Sequence, residues 1–138
     1  MKLDVIYDPT EDDIAKVTTG LRSYNLPFLE HIPSETFVCL LKEQNIVLAG
    51  CVARLFGQWI KIEYVWVDDA SRGKGIGGKL LEELENVGRQ KGCKRALVDT
   101  LSFQALPFYQ KQGYVKQMSL EDYPVDDMQL HFLTKSLV

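Results

Sequence analysis

The sequence predicts a mixed α/β domain built in the order β-α-β-β-β-α-β-α-β-β, and three observations predict it. Four glycines in the six positions Gly73 to Gly78 lead directly into an amphipathic helical pattern. Before them, three strand-like runs are joined by short turns. After them, one strand and one short helix follow before the chain returns to strand. The chain has 138 residues, which makes one domain, residues 1–138, without internal repeats, low-complexity tracts or interdomain linkers.

Each element has its own signal. Lys2 to Tyr7 alternates and reads as a first strand. Thr10 caps the helix that follows, with Asp13 at the reciprocal position and acids at its positive end. Ile14, Val17, Leu21 and Tyr24 recur at helical spacing, which predicts one buried face. Pro27 and Pro33 bracket a connecting loop. Thr36 to Lys42 and Ile46 to Leu55 form a hairpin around Glu43-Gln44-Asn45, and Phe56-Gly57-Gln58 makes the next turn. In Trp59 to Val67, alternation places Ile60, Ile62, Tyr64 and Trp66 on one face and Lys61, Glu63, Val65 and Val67 on the other.

The helix Gly75 to Lys91 carries Leu80, Leu81, Leu84 and Val87 as its core stripe and ends at Gly92. Arg95 to Leu101 is a buried strand, and Gln104 to Gln112 a short helix stopped by Gly113. Tyr114 to Leu120 and Met128 to Leu137 are the last strands, parted by the acidic loop Glu121 to Asp127.

Composition narrows the function. With 46% hydrophobic and 25% charged residues, the chain is ordinary for a soluble globular protein. A formal net charge of −3 gives nucleic-acid binding no electrostatic support. No apolar run approaches membrane-spanning length, and Met1-Lys2-Leu3-Asp4 lacks a signal-peptide core. Cys39, Cys51 and Cys93 are an odd set without C-x-x-C spacing, which reads as small buried hydrophobes in a reducing cytoplasm. With only His31 and His131, far apart, no metal site is expected.

The glycine run is the chemical signal. Glycines let the backbone turn tightly and approach a ligand, and the helix that follows points its free N–H groups and positive dipole end at the same space. Arg72, Lys74 and Lys79 add positive charge. The alternative is a plain flexible turn before a helix. Three phosphate patterns match. Gly73-x-Gly75-x-x-Gly78 fits a dinucleotide fingerprint, with Asp99 near the distance of its acid. Gly73-x-x-x-x-Gly78-Lys79 fits a P-loop for ATP, but Leu80 replaces the Mg²⁺-holding Ser or Thr. Arg72-x-x-Gly75-x-Gly77 fits an acyl-CoA pyrophosphate loop. Context weighs against the first two, NAD and ATP, because Asp68-Asp69-Ala70-Ser71 separates the glycines from the preceding strand and few βα units follow.

Gln104-Ala105-Leu106-Pro107-Phe108-Tyr109-Gln110-Lys111-Gln112-Gly113-Tyr114, after its strand, has the form A-x-x-F-Y-x-x-x-G-[FY]. Together with the glycine run, it closely resembles the two signature blocks of the GNAT acetyltransferase superfamily, over roughly Glu35 to Tyr114. The resemblance implies the GNAT fold, a mixed sheet splayed between its fourth and fifth strands. It implies an N-acetyltransferase with acetyl-CoA as donor, without metal. An acetyl-CoA-binding sensor or interaction module lacking catalysis is the alternative.

The resemblance also distributes roles. The amides of Gly73, Lys74, Gly75, Ile76, Gly77 and Gly78 would cradle the pyrophosphate, with Arg72 and Lys79 nearby. The backbone of Val65, Trp66 and Val67 would pair with the pantetheine arm, and the Val67 amide would polarise the thioester carbonyl. Gln104 would hydrogen-bond the cofactor, although many relatives carry Asn there. Amine attack needs a neutral amine, so a group must take its proton. Glu63 is the candidate, as general base or as an acid that binds a cationic substrate, with Asp99 as second choice. Tyr109 matches the tyrosine that donates a proton to the departing thiolate. No cysteine lies next to a histidine, and the helix-end dipole should raise the Cys93 pKa. Both favour direct transfer in a ternary complex over an acyl-enzyme. Polyamine, antibiotic amine, small metabolite and protein amine are all open as acceptors; a small-molecule amine is expected, and the acids of Glu121 to Asp127 point to a cationic one. Leu26 to Ser34 is the other substrate loop, and a homodimer follows from family habit alone.

Overall fold

A computed structural model describes all residues, 1–138. The chain divides into two compact units, Met1–Ile32 and Pro33–Val138.

The first unit is one helix, α1 (Glu11–Leu29), preceded by a segment without regular secondary structure. Its start is as the sequence dictates. Thr10 Oγ1 accepts from the Asp13 N–H at 3.1 Å, and Asp13 Oδ2 accepts from the Thr10 N–H at 3.0 Å. Three expectations fail in this unit. Lys2 to Tyr7 forms no strand, because alternation makes a strand only where a neighbour offers ladder hydrogen bonds, and this unit holds none. The stripe Ile14, Val17, Leu21 and Tyr24 is 52%, 72%, 59% and 72% exposed, so spacing alone buried nothing. The bracketed loop is partly helix: α1 runs through Pro27, whose missing N–H falls in the last turn, and the Glu30 N–H closes that turn on the Leu26 carbonyl at 2.9 Å.

The second unit carries the sheet and two helices, in the order β1 (Ser34–Glu43), β2 (Ile46–Phe56), β3 (Trp59–Val67), α2 (Ile76–Gln90), β4 (Arg95–Leu101), α3 (Leu106–Lys111), β5 (Val115–Glu121) and β6 (Gln129–Ser136). The six strands lie in the order β1-β2-β3-β4-β6-β5. Only β3 and β4 are parallel, and α2 supplies the crossover that parallel neighbours need. The β1–β2 turn has Gln44 and Asn45 at φ 51° and 68°, the left-handed pair of a tight hairpin. With the N-terminal strand absent, the rest of the predicted element order stands.

The core lies between the sheet and α2. Leu81 and Leu84 from the helix and Leu55, Ile60, Val98 and Leu133 from the strands are all essentially sealed from solvent. Each such side chain contributes about 1.5–3 kcal/mol by burial. Val87 is only half-buried, and Glu85 and Gly88 complete the buried stripe instead.

One detail of β3 shapes everything downstream. Ala53 pairs with Ile62 and Val52 with Tyr64, so Glu63 is an extra residue, a β-bulge. Because side chains alternate, one extra residue exchanges the faces beyond it. Before the bulge Ile60 and Ile62 are buried; after it Val65 and Val67 pack on the core, while Tyr64 and Trp66 are 73% and 50% exposed. The continuous alternation expected from sequence is therefore wrong past Glu63.

Candidate active site

β3 and β4 pair only over four rungs, from Trp59↔Arg95 to Ile62↔Val98. Beyond them Tyr64 to Val67 keep their partners on β2, the bulged Glu63 has none, and no residue of this stretch pairs with β4, which turns to β6 alone. The sheet is thus splayed where the resemblance implied. Backbone groups that lose ladder partners seek others, and a ligand with amide groups can supply them.

At this fork lies an open cleft of about 960 Å³. Val65, Trp66 and Val67 form its strand wall. Arg72, Gly73, Gly75, Ile76, Gly77 and Gly78 form its loop and helix-end wall. Gln104 and Tyr109 stand on the α3 side. Lys74, Lys79 and Glu63 are exposed and do not line the cleft. Glu63 is the bulge residue at the first rung where the strands part.

The helix end has the features that suit an anion. Gly75 caps α2 in the left-handed conformation, φ 75° and ψ 13°, which glycine adopts at little cost. No side chain caps the first turn and no acid lies in it. The first intrahelical bond is Lys79 N–H to the Gly75 carbonyl, at 3.3 Å. The N–H groups of Ile76, Gly77 and Gly78 therefore lack helical acceptors, and the dipole favours negative charge there. Gly77 has a second reason to be glycine: a Cβ would stand 3.1 Å from the Phe108 ring, which packs against the helix start. Arg72 braces the loop. Its Nε donates to the Val67 carbonyl at 3.2 Å, and its guanidinium pairs with Asp69 at 3.2 Å, which ties the loop to the strand end.

Gln104 stands in the cleft wall and its side-chain carbonyl also closes a turn. Its Oε1 accepts from the Leu101 N–H at 2.7 Å and from the Thr100 hydroxyl at 3.3 Å, closing the turn before α3. The helix consequently starts at Leu106 and not at Gln104.

Tyr109 is 7% exposed in the wall of the cleft. Burial, then the charge of Asp99 and the Cys51 thiol, push its phenol up to about 12, so it is protonated at neutral pH. Asp99 pairs with Lys61 at 3.8 Å. Burial raises the Cys93 thiol, and burial with the adjacent Cys39 raises Cys51 to about 12. The dipole expected at Cys93 is not the cause. Neither thiol is primed as a nucleophile.

These shifts set an alkaline limit on the fold. Tyr109 and Cys51 have folded pKa values above their unfolded ones, so their stabilisation is complete below pH 9 and is lost as pH rises toward 12. Urea midpoints should be flat from pH 7 to 8.5 and fall from 9 to 11.

Phe103, Phe108, Lys111 and Gln112 also line the cleft and were not singled out by sequence. Phe108, Lys111 and Gln112 follow helical spacing with Gln104 and Ala105, the signal that could have found them. Among the side chains no group of three or more His, Cys, Asp or Glu residues forms a metal site, and no helix is long and apolar enough to cross a membrane.

Comparison with known proteins fits this geometry. The model of the acetyltransferase (GNAT) family matches residues 6–114. Blasticidin-S acetyltransferase of Streptomyces morookaense is 36% identical over 115 residues, 80% of this chain and 82% of that protein. An acetyltransferase of Agrobacterium fabrum is 34% identical over 118 residues, 84% of this chain and 86% of that one. The crystal structure of an acetyltransferase from Bacillus cereus superposes with a TM-score of 0.84 at 30% identity, covering 96% of this chain and 97% of its own. The chain belongs to the GNAT acetyltransferase family and is an acetyl-CoA-dependent acyltransferase.

Proposed function

We propose that residues 1–138 act as one N-acetyltransferase domain in the cytoplasm, moving the acetyl group of acetyl-CoA to the primary amine of a small cationic molecule. This reading rests on one coincidence of geometry: the uncapped, acid-free N-terminus of α2 and the Val65 to Val67 edge, which has no β4 strand beside it, share a cleft. A long ligand with an anionic head and an amide-bearing arm matches both. A nucleotide alone uses only the first.

In the reaction the N–C bond forms as the C–S bond breaks. The amine loses a proton and the thiolate sulfur gains one. The Val67 N–H stabilises charge developing on the carbonyl oxygen in this reading. Tyr109, protonated and at the cleft wall, supplies the proton to sulfur. Glu63, at the mouth of the fork, takes or steers the amine proton. Direct attack suits a site whose buried thiols are held neutral.

Glu63→Gln should lower kcat/KM for the amine by about 10²-fold. A loss in kcat assigns a general base, whereas a rise in amine KM at constant kcat assigns a binding acid. The acceptor class is tested by thiol release from acetyl-CoA over a panel of polyamines, amino sugars and blasticidin S, the last chosen from the name of the Streptomyces relative. Turnover with cationic amines and none with neutral alcohols is expected. Tight acetyl-CoA binding without turnover of any amine would favour a sensor.

A further inference from the structure

Next to Tyr109 lies a largely buried polar cluster that does not line the cleft and has no part in the steps above. Glu85 of α2 is 4% exposed and Tyr114, just past α3, is 2% exposed. The Tyr114 hydroxyl donates to Glu85 Oε2 at 2.8 Å, and Lys135 of β6 donates from Nζ to Glu85 Oε1 at 2.8 Å. Lys135 Nζ also lies over the Tyr114 ring, 5.5 Å from its centre. One buried carboxylate therefore joins three parts of the fold, with both oxygens satisfied.

Stability alone is a poor account of it. Buried ion pairs seldom stabilise more than apolar side chains of the same volume, because desolvation offsets their attraction. What such a cluster does supply is one geometry. Its outer member is tied to Tyr109 in two ways. The Tyr114 N–H donates to the Tyr109 carbonyl at 3.0 Å, and the two rings pack edge to face with centres 5.9 Å apart and planes at 72°. Phe108, a cleft-lining residue, packs on Tyr109 in the same manner with centres 5.1 Å apart.

We infer that Glu85, Tyr114 and Lys135 are positioning residues for Tyr109: the Glu85 carboxylate anchors the Tyr114 hydroxyl, and the anchored ring fixes the Tyr109 phenol against the cleft. This rests on Tyr109 being the proton donor. The ring of Tyr114 cannot swing without breaking its bond to Glu85, and Glu85 cannot shift without losing Lys135. Tyr109 is thereby held by residues that do not themselves line the cleft.

The test is a double-mutant cycle on kcat at saturating acetyl-CoA and amine, using Tyr114→Phe, Tyr109→Phe and both together. Tyr114→Phe keeps the ring and removes the anchor. It should lower kcat about tenfold and change the acetyl-CoA KM by less than about twofold, since small misplacements of a reacting group cost this much. In the Tyr109→Phe background the same change should cost nothing further. A structural role alone would lower kcat by equal factors in both backgrounds, and that result overturns the inference. So does a folded Tyr114→Phe protein with wild-type kcat. Should Tyr114→Phe fail to fold, Glu85→Gln takes its place in the same cycle, because one amide oxygen cannot accept from both Tyr114 and Lys135. It should lower kcat several-fold when Tyr109 is present and cost nothing further in the Tyr109→Phe background; equal factors in both backgrounds, or wild-type kcat in the folded Glu85→Gln protein, overturn the inference. If Tyr109→Phe itself has wild-type kcat, the proton-donor assignment fails, a result distinct from additive losses.

Discussion

Replacing Tyr109 by phenylalanine lowers kcat for acetyl transfer by about 10²-fold or more while the acetyl-CoA KM stays near its wild-type value. The ring is nearly sealed, packed between Phe108 and Tyr114, so phenylalanine fills the same space and the fold persists. What disappears is one O–H, held protonated by burial well past neutral pH. A group of this kind helps only when charge develops on the departing sulfur, so its loss falls on kcat and not on ground-state binding. Steady-state kinetics with thiol detection reads both constants. A parallel rise in KM would instead make Tyr109 a wall of the acetyl-CoA site.

The second large effect belongs to the glycine loop. Gly75→Ala raises the acetyl-CoA Kd about tenfold, the equivalent of about 1–2 kcal/mol of left-handed strain for a residue with a Cβ. No heavy atom lies within 4 Å of where that Cβ would stand, and φ is +75°, so the penalty is conformational and not steric. The free protein relieves it by letting the cap relax, which turns the first-turn N–H groups away from the phosphates. Binding must then restore the strained cap. Gly77→Ala acts by another route, because its Cβ meets the Phe108 ring at 3.1 Å and pushes on the α3 side of the cleft. Calorimetry with unchanged melting temperature separates the first from general damage.

Much of this site was legible in the chain because it is local. A glycine run before an amphipathic helix, a capping box at Thr10 and Asp13, and a tight turn at Gln44-Asn45 are each decided within a few residues. The failures are equally physical. The strand expected at Lys2 to Tyr7 needed a neighbour that pattern cannot supply. The helical stripe of α1 named a face without naming a cover. On β3, one bulged residue reversed the sides of Tyr64 to Val67, and bulges leave no mark in alternation until a partner strand is counted against it. That Gln104 Oε1 also closes a turn, on the Leu101 N–H and the Thr100 hydroxyl, depends on the conformation of that turn and not on the motif. Glu85 went unremarked because a carboxylate on a helix reads as surface. Its burial depends on Tyr114 and Lys135, which lie 29 and 50 residues away.

The cleft at the β3–β4 fork, proposed as the acetyl-CoA site, joins the α2 end to the edge of β3 that has no β4 partner. Isothermal titration of acetyl-CoA, ATP and NAD into the purified protein, with Gly75→Ala run alongside, decides whether it is one. Micromolar binding of acetyl-CoA, weakened in the variant, with no heat from ATP or NAD, is the predicted result. Binding of ATP or NAD with no response to acetyl-CoA would contradict it, and the roles given to Glu63 and Tyr109 would fall with it.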